Sequence, residues 1–417
     1  MVRRSEWPAG AERIAVYMFL VTATFGFIQP FLNLYLQAAG FSKTQIGLTT
    51  GLAAAIALLA QPLLGKLTDH FDARRPAIAL SALLAGIAYF LIPWANSFPT
   101  FLALVAIGAN GTMYLNAAGA VLVGRMVTGK GGGTLYANLR LWGTVGYILV
   151  TLISGLATSF GTRVAQTRSQ LDPIFHFGPF LFLAIAVLAW FLPDRRNHAH
   201  AVKGVTGKMP PNLVRFLASY FLWAFALYGA TGYLSLYIRG LGGTPIFISG
   251  AFAAGAVVEV GMMRVMGAWS DRYGRRPALA ITFLLLPIRL MLYSLVVAPW
   301  QVIGVQALHG INFGIMGVVS IAFANDLAAE GAQGRAQAQF AATMGLASAI
   351  APLCFGLISD AIGLRTMWLV AAGVAALGAV GFLLTVEDSH RESHSLAENG
   401  PRWLQPILRI LDSPPGR

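Results

Sequence analysis

The sequence predicts an all-α membrane protein of twelve transmembrane helices in two pseudo-symmetric six-helix bundles. Three observations carry this reading. Of 417 residues, 57% are hydrophobic and 11% charged, and the mean hydropathy is +0.67; a soluble domain of this size would not tolerate that composition on its surface. Apolar runs long enough to cross hydrocarbon follow one another along the chain. Landmarks of the first half return in the second at a nearly constant offset.

The runs read as 14–36, 46–66, 77–95, 99–123, 135–159, 175–193, 213–238, 246–268, 278–298, 301–324, 337–358 and 367–386. They divide the chain into a bundle over 1–193, a basic, proline-bounded linker over 194–210, a second bundle over 211–386 and a polar tail over 387–417. The start Met1-Val2-Arg3-Arg4 leads into a full-length span without a short core and small-residue cleavage site, so the first span is expected to stay. With both termini cytoplasmic, 21 Lys and Arg fall inside, 5 outside and 3 within spans, the distribution that the positive-inside rule requires. The formal charge of +13 is then topological. Its expected partner is anionic membrane lipid, and no nucleic acid is expected. The single cysteine, Cys354, allows no intrachain disulfide. The expected location is the cell inner membrane.

The repeated loops are the clearest landmarks. Gly65, Asp69, Arg74 and Arg75 return as Gly267, Asp271, Arg275 and Arg276, with Gly274 before the second arginine pair and one extra residue near Asp72 in the first copy. Phe31-Leu32-Asn33-Leu34-Tyr35 at the end of span one returns 202 residues later as Tyr233-Leu234-Ser235-Leu236-Tyr237. Gly155 to Arg163 after span five matches Gly356 to Arg365 after span eleven. Parallel six-helix repeats of this kind place a solute site near the bilayer midplane and let the halves rock about it. Each repeated loop sets a carboxylate at one helix end and two arginines at the next helix start, which suits a charge-assisted clamp acting as a conformational gate. A plain positive-inside loop anchoring lipid headgroups accounts for the same residues.

Of sixteen acidic residues only Glu259 lies well inside an apolar span. A carboxylate there must face a partner or a watery cavity. The alternative to a functional role is a structural ion pair, for which Arg289 on span nine and Arg140 on span five are the candidates. Arg264 lies near a helix end and can snorkel. On span ten Gln306, His309 and Asn312 share one face by their three-residue spacing and are expected to line a cavity, the alternative being core residues with satisfied hydrogen bonds. Gln29, Asn33, Asn110, Thr112 and Asn116 are further polar candidates in the first half, and Tyr233 is the aromatic one.

The loop pattern G-x-x-x-D-x-x-G-R-R resembles the signature of the major facilitator superfamily, closely in the second copy and loosely in the first. Leu139-Arg140-Leu141-Trp142-Gly143 on span five, Glu259, Arg289, and Gln306 to Gly314 on span ten are similar to the lactose permease and phenylpropionate permease group of proton symporters, over residues 10 to 386. The resemblance implies that Arg140 and Glu259 contact solute, that His309 is linked to solute and proton, and that Arg289 helps a carboxylate release its proton. Two departures matter. Ala120-Val121-Leu122 stands where lactose permease has a solute-binding acid, and Asn312 where it has a proton-carrying glutamate. Galactoside recognition is therefore not expected, and coupling must rest on Glu259, with His309 and Arg289.

Gly124 to Gly131 nearly spells a phosphate-binding loop but lacks the final Ser or Thr and follows a membrane helix. No Cys/His metal cluster or nucleophile with a base is present, so neither an enzyme nor a metal or other cofactor is expected. The expected function is proton-coupled uptake of a small organic solute, an aromatic acid, sugar or nucleoside, by a working monomer. The net positive cavity favours an acidic group. The alternatives are a proton-driven efflux antiporter for drug-like or metabolite substrates, disfavoured by the absence of a proline in Trp142 to Ile148, and a transporter-like membrane receptor.

Overall fold

The computed structural model describes residues 7–71, 73–126, 132–159, 167–193 and 209–388. Asp72, Lys130, Arg163, most of the linker and the tail from residue 389 lie outside them. All regular structure among the described residues is helical: α1 Ala11–Ala38, α2 Lys43–His70, α3 Arg74–Leu91, α4 Phe98–Met126, α5 Gly132–Ser159, α6 Arg168–Phe177, α7 Phe180–Ala189, α8 Pro211–Thr231, α9 Leu234–Gly240, α10 Pro245–Tyr273, α11 Arg275–Leu295, α12 Pro299–Asp326 and α13 Gln333–Thr385. This is what hydrocarbon demands, because a helix satisfies its own backbone.

The spans match the expected twelve once three local features are read. Span six is α6 followed by α7, interrupted at Gly178-Pro179, and begins at Arg168, earlier than its apolar run. Span seven is α8 followed by α9, interrupted at Gly232-Tyr233. Spans eleven and twelve are both contained in the 53 residues of α13, which turns at Gly363. There φ is +86°, a conformation that glycine adopts without a Cβ clash. Among the described residues eleven helical rods, counting α13 once, are long and apolar enough to cross a membrane.

The described residues pack as two compact units, those within 1–199 together with 232–253, and those within 200–231 together with 254–417. These packing units do not coincide with the sequence repeats, because Gly232 to Ala253 packs with the first repeat. Asn33 Nδ2 donates to Gly232 O (2.8 Å), Ser235 Oγ to Pro30 O (2.6 Å), and Ile246 N to Ser159 Oγ (3.1 Å). The first unit's core is built on edge-to-face rings around Phe27, with Tyr89, Phe175 and Phe182. The second unit's core holds the stacked Phe216, Tyr220 and Phe340, with Phe283 on Phe382.

Both repeats tie their third and sixth spans together with arginines. Helix C-termini end in carbonyls without intrahelical partners, and a cation there also meets the negative end of the helix dipole. Arg75, at the start of α3, donates to Leu192 O at the end of span six (3.0 and 2.5 Å). Arg168, at the start of span six, donates back to Pro93 O and Ala95 O beyond α3 (2.6 and 2.7 Å). In the second repeat Arg276 reaches Val386 O and Leu383 O (2.7 and 2.9 Å), and Arg365 reaches Val296 O (2.9 Å).

The two arginines of each signature loop thus have separate tasks. Arg74 pairs with Asp69 across the turn (2.8 Å) and Arg275 with Asp271, whereas Arg75 and Arg276 leave the loop to cap another helix. Arg275 also reaches Asp326 on α12 (3.3 Å). Gly65 and Gly267 precede their carboxylates by one helical turn, and Gly274 supplies the positive φ of 101° before α11.

These differences in exposure predict unequal costs. Arg276 is 4% exposed and serves two carbonyls, so Arg276→Ala should destabilise the protein by about 3 kcal/mol. Asp69 is 71% exposed in its pair with Arg74, so Arg74→Ala should cost about 1 kcal/mol or less. Denaturant unfolding in detergent micelles checks this. Equal losses would contradict the division of tasks.

Candidate functional site

The charged and polar side chains expected from the sequence gather mainly in the second unit, on α10, α11 and α12. Two helix contacts put them there. The first is between α10 and α12, where glycines remove the side-chain layer. A methyl group at Gly310 would lie 2.6 Å from Glu259 N and from Val258 Cβ, and one at Gly314 would lie 2.6 Å from Met262 Cβ and 3.0 Å from Glu259 O. Backbone therefore meets backbone, as small residues four apart permit in membranes. Glu259 is thereby set against the helix that carries His309, immediately before Gly310. Gly255, one turn before Glu259, faces the His309 ring, which a Cβ at that position would meet at 3.4 Å.

The second contact is a polar ladder between α11 and α12. Tyr293 Oη donates to Gln306 Oε1, Arg289 Nη1 lies 2.8 Å from His309 Nδ1, and Asn312 Nδ2 donates to Thr282 Oγ1 and to Thr282 O, both at 2.9 Å. A guanidinium has donors only, so His309 Nδ1 is the acceptor and the ring proton resides on Nε2. The stripe Gln306, His309 and Asn312 therefore points at α11. Gln306 is 2% and Asn312 0% exposed. The shared face is the expected one, but two of its three members are spent on helix pairing, because α11 offers a matching row of polar groups. His309 alone stays half-buried.

Arg289 is 0% exposed, and its Nε and Nη2 have no hydrogen-bond partner. An incompletely paired guanidinium in this setting is costly. Its hydrogen-bonded partner is His309, not a carboxylate. Glu259, half-buried, has Tyr228 on α8 as an electrostatic neighbour. Tyr228 Oη contacts Met344 Sδ (3.4 Å), and its ring meets Phe313 edge to face at 6.3 Å. Phe313 in turn packs on the His309 ring at 4.5 Å. Glu259, Tyr228, Phe313 and His309 thus form one half-buried face, acidic at one point and aromatic across the rest, with Arg289 behind it.

The remaining candidates are in the first unit. Arg140 is exposed on α5, and Asn116 is exposed on α4. Asn33 and Tyr233 are in structural contacts, Asn33 with Gly232 O and Tyr233 Oη with Lys43 O (3.1 Å). Gln29 accepts from Tyr147 Oη (3.0 Å), and Asn110 donates to Ala106 O (2.8 Å). Sequence reasoning did not single out Tyr293, Thr282, Phe313 or the glycine contact. Gly310 and Gly314 carried a readable signal in their four-residue spacing; the others look like ordinary membrane residues until their partners across the helix pair are known.

The sequence profile described as "MFS_1 like family" matches residues 12–370. The chain belongs to that family. It is therefore a major facilitator superfamily transporter, and the fold and superfamily expected from the loops are confirmed. Curated relatives include a maltose permease of Geobacillus stearothermophilus, 27% identical over 81% of this chain and 85% of the relative. Another is the multidrug resistance protein MdtG of Salmonella choleraesuis (strain SC-B67), 28% identical over 87% and 91%. Among solved structures, the nucleoside transporter NupG aligns with a TM-score of 0.72 at 14% identity over 90% of this chain and 98% of that one. The inward open xylose transporter XylE from E. coli aligns with a TM-score of 0.71 at 14% identity over 92% and 98%. At that identity the structures support the fold alone. Many apolar helices and bacterial relatives make the chain a multi-pass inner membrane protein.

The glycine contact is testable without a known solute. Gly310→Val should abolish monodisperse, folded protein on size-exclusion chromatography, because α10 backbone has no room to yield. Gly304→Val, on the same helix but with nothing within 4 Å, should leave the profile unchanged.

Proposed function

We propose that the chain takes up a small organic solute together with protons by alternating access, as a monomer with both termini in the cytoplasm. The observation that carries this reading is the half-buried face of Glu259, Tyr228, Phe313 and His309 backed by the incompletely paired Arg289. Glu259 is the membrane-embedded carboxylate of that unit and is the proposed proton carrier. His309, with Nδ1 occupied by Arg289 and Nε2–H left to donate, suits a hydrogen bond to a solute oxygen. Phe313 and Tyr228 supply ring surfaces on which a planar or cyclic solute stacks. Arg140, exposed on α5, is the proposed solute contact of the first unit.

Charge bookkeeping favours a solute with an acidic group, since Arg289 keeps two unsatisfied nitrogens and Asn312 brings no charge. A neutral sugar or nucleoside would use His309 and the ring surfaces without addressing that surplus. The Asp69–Arg74 and Asp271–Arg275 pairs are the proposed gate, loosened and remade as helices tilt. Both are exposed on their acidic side, where breaking them costs little. Export is the second reading, favoured by the similarity to MdtG.

Proteoliposomes with an imposed pH gradient separate these readings. Labelled aromatic acids, sugars and nucleosides are screened for accumulation, and each hit is repeated with the gradient reversed. Glu259→Gln should abolish uphill accumulation while leaving equilibrative exchange. Folded Glu259→Gln protein that accumulates solute as well as wild type would sink the coupling mechanism. Arg289→Gln should weaken an acidic solute by about tenfold or more and a neutral one far less. Accumulation only under the reversed gradient would assign export.

A further inference from the structure

The first unit carries a wholly apolar groove that the transport reading does not use. It is about 500 Å³ and is formed by Val16 and Leu20 on α1 with Phe180, Leu183, Val187 and Phe191 along and just beyond α7. From Phe180 to Phe191 it extends for about 16 Å at helical rise, a length suited to most of an acyl chain. Its walls are open, with Phe180 and Phe191 each 58% exposed.

An arginine stands at one end of this groove, next in sequence to the exposed Glu12. Arg13 lies one turn before Val16 on α1 and donates Nη1 to Phe191 O (3.0 Å), while Arg75 caps the adjoining Leu192 O. The second repeat has the same device in Arg215, 202 residues on, which reaches Thr385 O (3.4 Å). Arg215 also has an acidic partner, Glu387, at 3.5 Å, whereas among the described residues no carboxylate pairs with Arg13. The guanidinium of Arg13 is exposed and directs donors away from the one carbonyl it serves.

We propose that this groove is a binding site for one phospholipid with an anionic headgroup, its acyl chain between α1 and α7 and its phosphate at Arg13. With the orientation proposed above, the lipid belongs to the cytoplasmic leaflet. The groove's apolar lining selects an acyl chain without regard to headgroup, and Arg13 selects the charge.

Native mass spectrometry of the full chain in detergent, with dioleoyl phosphatidylglycerol or dioleoyl phosphatidylcholine added, tests this directly. One phosphatidylglycerol should be retained about fivefold more tightly than phosphatidylcholine, the advantage of one arginine beside an anionic headgroup. Arg13→Gln should reduce phosphatidylglycerol to the phosphatidylcholine level. Ala184→Trp, at a residue that lines the groove, should reduce both, and it keeps the test alive if the Arg13 variant does not fold. Equal retention of the two lipids by wild type overturns the proposal, as does a preference that survives both substitutions. A dimer lost on Ala184→Trp would give the groove to a second copy of the chain and also overturn it.

Discussion

Hydrocarbon offers no hydrogen bonds, and the polar groups of this chain are placed by that constraint. Helices satisfy their own backbones except at their ends. Those ends are where Arg75, Arg168, Arg276 and Arg365 are found, each serving carbonyls of a neighbouring span. The same constraint explains the ladder between α11 and α12. Asn312 and Gln306 can be fully buried because Thr282 and Tyr293 meet them at the right height. Asn312 Oδ1 still lacks a partner, and Arg289 is served less completely. One nitrogen is satisfied by His309 and two are not, so the second unit holds polar capacity in excess of what its own packing uses.

That excess lies beside a close helix contact. Gly310 and Gly314 bring α12 against the backbone of α10 at Glu259, and no bulkier residue would permit the approach. Carboxylate, imidazole and guanidinium are thus assembled by two helix contacts within one packing unit. A transporter needs such groups to remain in register while gates elsewhere open and close. The arginine caps on the third and sixth spans of each repeat supply rigidity outside the site, and the exposed Asp–Arg pairs of the loops supply contacts weak enough to remake.

Much of the fold was legible because membrane helices announce themselves by length and composition, and because duplication repeats its own evidence. Span six was harder. Its first turn is the polar Arg168-Ser169-Gln170, stabilised by Gln170 Oε1 accepting from Thr167 N, and no hydropathy reading finds a capped helix start of that kind. The site was legible by residue type and only partly by role. Glu259, Arg289 and His309 stood out as charges or titratable groups in apolar spans. That Arg289 would bond His309, and that Gln306 and Asn312 would be buried against α11, depends on the rotational setting of two helices. A single sequence does not record that setting. Tyr233 looked like a solute-stacking ring and is instead fastened to Lys43 O. Gly232 to Ala253 joined the first unit through contacts with Pro30, Asn33 and Ser159 that pattern reasoning has no means to anticipate.

The pairing of Arg289 with His309 is the central structural claim, and the protonation pattern of one imidazole tests it most directly. In protein labelled with ¹⁵N-histidine, His309 is assigned by loss of its signals in His309→Gln. An Arg289–His309 hydrogen bond requires an unprotonated, hydrogen-bond-accepting Nδ1 with the proton on Nε2, and a change in the Nδ1 signal in Arg289→Gln. A ring protonated at Nδ1, or an Nδ1 signal indifferent to Arg289, would contradict it.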